Sequence, residues 1–492
     1  MNLVLWSLPA LAVLIGIASG RVNTTVAALI GLLLAIPIGL FSGPTSVHFG
    51  GLASALARGL WIGATMAPYI LGGLLFWQIA ARPPTSSSTT MAVNQPLPGN
   101  LAGRRLLFFA SFLVGPFAET ATGFGVGMLG TVVLLRPLGI PPRYLMIFAL
   151  LSQCMIPWGA MGSGTLLAAA YARIPAEQLA LYCLAPVSLL MGVWLMLFWR
   201  IAERAGFGAP ASEQLREVAW SVAGLLLVGV ASVVLGPETA LLATYGPLIV
   251  LRYLLDFRPD RTHAWATARR SLPYIALIAG LVLSRLQPSV RDTLGALLQV
   301  SPYADLPAWS PFIHAGSWLL VGGILTAIVR KDGSAAFRQE AASAWSTGKH
   351  AVAAVVLFAM LAEVLASVGI SQAFADALFV NLGEGAVLTT PLLSAAFGLL
   401  SNSGTAPNSL FMPSQVALAA QAGLSVPAVA ALQHVAASSL GLFSPVRMSI
   451  AAGVAGGVGQ ERHVYRLLLP YAATSMALVL LVAMWIVFSA GA

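Results

Sequence analysis

GPFAETATGFGVGMLG, residues 115–130, sets one carboxylate, Glu119, and five glycines inside an apolar stretch that runs from 106 to 176. A helix needs about 20 apolar residues to cross about 30 Å of hydrocarbon. A region of this length, broken this often, is therefore neither one clean span nor the core of a soluble domain. A carboxylate at the centre of a membrane helix costs about 2.5–3.5 kcal/mol on insertion scales and is retained where an ion or a proton is held. Gly123 and Gly125 can unwind the helix and bare backbone N–H groups, and the half-helix that follows turns its positive end toward an anion. Thr120, Thr122 and Phe124 flank that break. The plainer alternative is that Glu119 pairs with an arginine for assembly and that the glycines only let helices pack closely.

The rest of the 492 residues fits this reading. The hydrophobic set makes up 58% of the chain and charged residues 8%, against roughly a quarter charged in soluble domains. So few charges cannot clothe a water-soluble surface, and the apolar face must meet lipid. The net charge of +9, from 25 Lys and Arg against 16 Asp and Glu, is spread over short loops. That is the pattern of the positive-inside rule, not of a nucleic-acid surface. Cys154 and Cys183 sit in apolar segments as small hydrophobes. With no P-loop, HExxH pair, GxSxG elbow or metal-ligand spacing, neither a metal nor a cofactor is expected, and an intramembrane enzyme has no motif behind it.

Clean apolar runs lie near 3–18, 24–42, 55–80, 179–199, 218–236, 239–255, 271–287, 311–329, 349–368 and 467–490. Arginines and lysines gather at 82–105, 200–216, 252–270, 330–349 and 462–466, which places these connections in the cytoplasm. The first span has no basic leader, so an outward N-terminus without a cleaved signal is expected. Three spans precede the broken stretch 106–176 and end inside. Three others precede a second broken stretch, 386–458, and end outside. One clear span follows each. The expectation is an all-α polytopic membrane protein of about 12–14 segments with two inverted-topology repeats and broken or re-entrant helices. The repeats are 1–205 and 271–492, joined by a hairpin and cytoplasmic loops at 206–270. This is the plan of secondary transporters, whose substrate site lies between broken helices at the midplane.

Three further breaks carry polar side chains. PWGAMGSGT, 157–165, contributes Ser163 and Thr165. LLSNSGTAPNSLF, 399–411, gathers Ser401, Asn402, Ser403, Thr405, Asn408 and Ser409 around Gly404 and Pro407, a run tolerated in lipid only where it lines a cavity or is buried in protein. These amides and hydroxyls suit a carboxylate or hydroxyl ligand, or a Na⁺ held by carbonyls, or serve as helix caps. LGLFSPVRMS, 440–449, sets Arg447 at a helix restart, as a carboxylate clamp or as a side chain snorkelling to the cytoplasmic interface. Glu363 reads as a second proton carrier or an interfacial carboxylate, and His434 as a histidine that packs or hydrogen-bonds.

These residues resemble the bacterial lactate permease family of carboxylate/proton symporters. The likeness lies in Glu119 with Gly123-Phe124-Gly125, Gly139-Ile140-Pro141-Pro142 and Gly159-Ala160-Met161-Gly162. In the second half it lies in Thr405, Asn408-Ser409-Leu410-Phe411, Gln415-Val416-Ala417, Gln421 and Ser444-Pro445. The resemblance implies an inner-membrane symporter that moves lactate, glycolate or a related 2-hydroxymonocarboxylate with a proton. The departures are Gly404, where family members carry an Asp, and Leu442, near where they carry a Lys that Arg447 replaces. On this reading Glu119 carries the proton and the breaks at 120–125, 163 and 401–409 bind substrate with Arg447. The alternatives are a Na⁺-coupled or differently selective organic-anion carrier and a non-transporting membrane protein.

Overall fold

The structure, a computed structural model, describes residues 2–81, 100–123, 125–331 and 333–490. Phe124 and most of the 82–103 connection therefore lie outside the described residues, as does the side chain of Thr122. The first half comprises α1 (Asn2–Ala18), α2 (Thr24–Ser42), α3 (Phe49–Ala81), α4 (Asn100–Phe108), α5 (Gly115–Thr122), α6 (Val126–Leu135), α7 (Pro142–Leu151), α8 (Ser163–Ala172) and α9 (Ala176–Arg204). Two helices, α10 (Ala211–Leu235) and α11 (Pro237–Phe257), form a hairpin between the halves. The second half comprises α12 (Arg261–Leu286), α13 (Pro288–Leu297), α14 (Ala315–Arg330), α15 (Ser334–Ser367), α16 (Ile370–Leu382), α17 (Thr389–Ser401), α18 (Thr405–Gln421), α19 (Val426–Ser439), α20 (Pro445–Ala455) and α21 (Glu461–Ala490). Among the described residues, eleven helices are long and apolar enough to cross a membrane. Shorter apolar helices, among them α1, α6, α7 and α14, supply the rest.

The inversion of the halves is visible in how their scaffold helices pack. Helix α3 lies antiparallel to α15: a Cβ on Gly59 would stand 2.3 Å from the Met360 backbone, one on Gly63 2.5 Å from Val356, and Gln78 Nε2 donates to Ser343 Oγ at 3.2 Å. Helix α2 runs parallel to α15, with Gly31 on Leu361 and Gly39 on Val368. Helix α14 runs parallel to α3 in the same way, with Gly316 on Pro68 and Gly323 on Phe76. Such exchange of partners between equivalent helices is what two oppositely oriented repeats produce. The small-residue faces allow backbones to approach where burial of apolar surface in lipid supplies little attraction.

The remaining elements of the halves follow in equal order. In the first, α4 and α5 descend to a break at 123–125 and α6 returns, so the three form a hairpin. In the second, α16 and α17 reach a break at 402–404 and α18 returns. Helices α7 and α8 form one interrupted crossing, as do α19 and α20, before the long helices α9 and α21. Hairpin one opens on the face where Arg136 Nη2 donates to Val454 O at 3.1 Å and Arg104 pairs with Glu217 at 2.7 Å. Arg330 donates to Ile79 O on that same basic face. Hairpin two opens on the opposite face, where Gln421 near its end bonds Asp376 near its start.

The incoming arm of hairpin one carries a six-residue π-helix, Phe109–Val114, ending at Gly115-Pro116. Pro116 has no N–H to donate, and the wider i→i+5 turn, with Gly115 N donating to Ala110 O, absorbs that discontinuity.

Candidate functional site

Each hairpin tip packs against a helix interruption, so the four breaks lie together in the interior. A Cβ on Gly123 would stand 2.6 Å from that of Ala160 in the α7–α8 break, and one on Gly125 3.5 Å from Ile450 of α20. At the other tip, Ser444 Oγ in the α19–α20 break donates to Asn402 Oδ1 at 2.7 Å. A pair of hydrogen bonds joins the halves: Thr165 Oγ1 meets His434 Nε2 at 2.9 Å, and Asn408 Nδ2 meets His434 Nδ1 at 2.9 Å. Gly125, Gly159, Ser163, Asn402, Ser403 and Thr405 stay partly exposed.

Glu119 is 4% exposed and has a specific role in the first tip. Gly123 (φ 73°) and Gly125 (φ 79°) occupy the left-handed region, which reverses the chain at little steric cost. That reversal aims the first amides of α6 back at α5. Gly125 N donates to Glu119 Oε1 at 3.1 Å, and Gly127 N to Oε2 at 3.0 Å. The carboxylate thus caps the positive end of α6. Among the described residues Glu119 forms no ion pair, so the assembly-pair alternative does not hold. The amides expected to meet an anionic substrate are occupied by Glu119 itself.

Arg447 is 8% exposed, in the first turn of α20. Its backbone N–H donates to Ser444 Oγ at 3.2 Å, the cap of that helix. The guanidinium lies against Gly441, 3.6 Å from where a Cβ would stand, and its Nη1 has no hydrogen-bond partner among the described residues. It is buried at a break, not snorkelling at an interface, and Glu119 is the charge whose field reaches it. A buried cation with an unused donor fork matches the geometry of a carboxylate.

Other expected ligands divide in two. Thr120 is fully buried and its hydroxyl donates to Pro116 O at 2.8 Å, so it is bonded back to its own helix. Ser401 donates to Phe397 O and Ser403 O, and Ser409 to Ala406 O, so both serve the hairpin's backbone. Ser403 Oγ accepts from Thr405 N at 3.1 Å and closes the turn. Ser163 and Thr405 are partly exposed, as Asn402 and Ser403 are. Asn408 is fully buried beside His434, which hydrogen-bonds both it and Thr165, 269 residues away in the chain. Glu363 is the interfacial carboxylate: Arg58 Nε and Arg173 Nη2 bind it at 3.1 and 2.6 Å, and Asp305 completes the cluster. Arg173 caps the outer end of α8.

A cleft of about 450 Å³ at the basic end, between Arg104, Trp199, Arg200, Glu203 and Tyr471, shares no lining residue with the breaks. Among the described residues, no group of His, Cys, Asp and Glu is arranged to hold a metal ion.

The second interrupted region, with Asn402, Asn408, His434, Ser444 and Arg447, falls within a segment that matches a known family. Residues 308–490 match the L-lactate permease family. The resemblance read from the motifs is thereby borne out over the second hairpin and the second interrupted helix. Glu119 lies outside the segment matched to the lactate permeases. In fold, the chain is similar to the Alcanivorax borkumensis YdaH transporter, whose crystal structure "reveals an unusual topology". The TM-score is 0.52, over 95% of this chain and 99% of that one, at 16% identity, which is a likeness of fold alone. No curated protein matches the chain in sequence. The chain is a multi-pass, all-α membrane protein whose residues 308–490 are similar to the L-lactate permease family.

Proposed function

We propose that the protein is a secondary carrier of the bacterial inner membrane that moves lactate or a related 2-hydroxymonocarboxylate together with one proton. The observation that carries this reading is the placement of two buried, opposite charges at the breaks, Glu119 capping α6 and Arg447 beginning α20, with no direct bond between them. With nothing bound, the pair sums to zero charge. An anion on Arg447 alone leaves the site at −1, and a proton on Glu119 alone leaves it at +1. Either net charge costs several kcal/mol in a low-dielectric interior. Only the empty site and the site holding both proton and anion are neutral, so only these two reorient readily. The result is obligatory one-to-one symport.

The hairpin supplies the mechanical link. Protonation turns one Glu119 oxygen into a hydroxyl, a donor and a much weaker acceptor, which loosens the bond from Gly125 N or Gly127 N. One amide at the positive end of α6 thus becomes available to the anion as the proton binds. The cap also favours a proton over Na⁺: both carboxylate oxygens already face N–H donors, a surrounding that repels a metal cation.

Purified protein in vesicles with labelled lactate tests the reading. An acidic exterior is expected to drive accumulation inside and to collapse with a protonophore, while an inward Na⁺ gradient at equal pH drives none. Accumulation driven by Na⁺ alone, or none under either gradient, overturns it.

A further inference from the structure

The hydrogen bonds that run from Pro157 to Asn408 have a fixed direction. Thr165 Oγ1 has a single proton, and the Pro157 carbonyl, to which it is bonded, can only accept. Thr165 therefore accepts from His434 Nε2, 2.9 Å away. An imidazole with its proton on Nε2 presents a lone pair at Nδ1, and Asn408 Nδ2 donates to it at 2.9 Å. The amide is thereby pinned with Oδ1 turned away from His434. That oxygen has no hydrogen-bond partner among the described residues, although Asn408 is fully buried. A buried acceptor without a donor is costly, and in a binding site it marks the place of a ligand's donor.

A Cβ on Gly404 would meet Ser438 at 3.5 Å and Asn408 Nδ2 at 3.6 Å, ordinary van der Waals contact, so the second hairpin tip lies directly on this amide. Residues 402–405 of that tip are partly exposed. The Ser444–Asn402 bond holds this tip against the start of α20, which carries Arg447.

We propose that Asn408 Oδ1 accepts the proton of the substrate's 2-hydroxyl and sets the carrier's preference for 2-hydroxy acids, with His434 and Thr165 as positioning residues that fix the polarity of the amide. The assignment rests on the carboxylate-carrier reading above. An unsubstituted acid offers this oxygen nothing, and a 2-oxo acid turns a second acceptor toward it. Sites built to pair a substrate hydroxyl reject analogues that lack it more strongly than apolar pockets do.

The test compares initial uptake of lactate, propionate and pyruvate by the wild-type protein, Asn408→Leu and Thr165→Val in vesicles under one pH gradient. The wild type is expected to favour lactate over propionate by at least about tenfold, in line with one buried hydrogen bond. Both variants lower that ratio about tenfold, chiefly by raising the KM for lactate. Thr165→Val also raises pyruvate relative to lactate, because the released imidazole and amide can turn a donor toward the substrate. Ratios measured within one preparation do not depend on how much protein folds. An unchanged ratio in Thr165→Val, or equal wild-type uptake of lactate and propionate, overturns the hydroxyl assignment alone. Wild-type vesicles that take up none of the three acids overturn the carrier reading itself.

Discussion

Gly127→Ala, set beside Gly130→Ala, tests whether the first hairpin depends on its two arms touching at Glu119. Both glycines lie in α6, three residues apart and on the same apolar background. At Gly130 a Cβ meets nothing within 4 Å. There the substitution keeps only the helix-propensity gain, about 0.4–1 kcal/mol. At Gly127 the new carbon would stand 2.4 Å from Gly115 O, 3.1 Å from Glu119 Cβ and 3.2 Å from Glu119 Oε2. The first contact is with backbone, so the arms must part by roughly 1 Å, and strain of this kind in a packed interior costs about 1–3 kcal/mol. The movement also stretches the 3.0 Å bond from Gly127 N to Glu119 Oε2, at a further cost of about 1 kcal/mol or more. Gly127→Ala is therefore expected to be about 2–4 kcal/mol less stable than Gly130→Ala. The assay is thermal unfolding of the detergent-solubilised protein followed by tryptophan fluorescence, with uptake measured on the same preparations. Gly130→Ala should unfold at or slightly above the wild-type temperature and transport normally, whereas Gly127→Ala unfolds earlier and loses gradient-driven uptake. Equal unfolding temperatures and equal uptake for the two variants would refute the close-packed cap.

Arg447→Lys keeps the charge but loses the planar fork, so the KM for lactate should rise about tenfold, or about 1.4 kcal/mol, with the protein still folded; an unchanged KM removes Arg447 from the site. On the outer face, Arg58 hydrogen-bonds Asp305 and holds its carboxyl below the ordinary carboxylate range. A lowered pKa means that the stabilising contribution is present above the ordinary value and is lost as pH falls through the lower one. The 298–314 segment should therefore stay docked at pH 5 and release only under stronger acid, as protease cleavage of that segment would show; release between pH 6 and 5 contradicts it.

The positions of the breaks were legible in the sequence because clusters of Gly, Pro, Ser and Asn stand out against apolar helices, and the basic loops gave the inversion before any packing was known. Which amides a carboxylate would take was not legible. Glu119 and the α6 amides are close in sequence, but the contact depends on two left-handed glycines whose conformation composition does not fix. Thr120, Ser401 and Ser409 read as ligands because a hydroxyl in lipid looks functional; each instead bonds its own helix turn. His434 reads from the sequence as a residue that packs or hydrogen-bonds, and the sequence does not say with what. A single histidine on an apolar helix carries no local signal, and its function depends on Thr165 from the other half. Arg447 stands out in the sequence as an arginine at a helix restart, while its burial came only with the fold.

The most direct test of the central claim is Glu119→Gln, measured in two modes on the same vesicles. Glutamine keeps the size and one acceptor but cannot take up or release a proton, so the variant's site is neutral with lactate on Arg447 and charged when empty. Lactate exchange between loaded vesicles and medium should persist, while accumulation driven by a pH gradient is lost. Undiminished gradient-driven accumulation by Glu119→Gln would contradict the assignment of the coupled proton to Glu119.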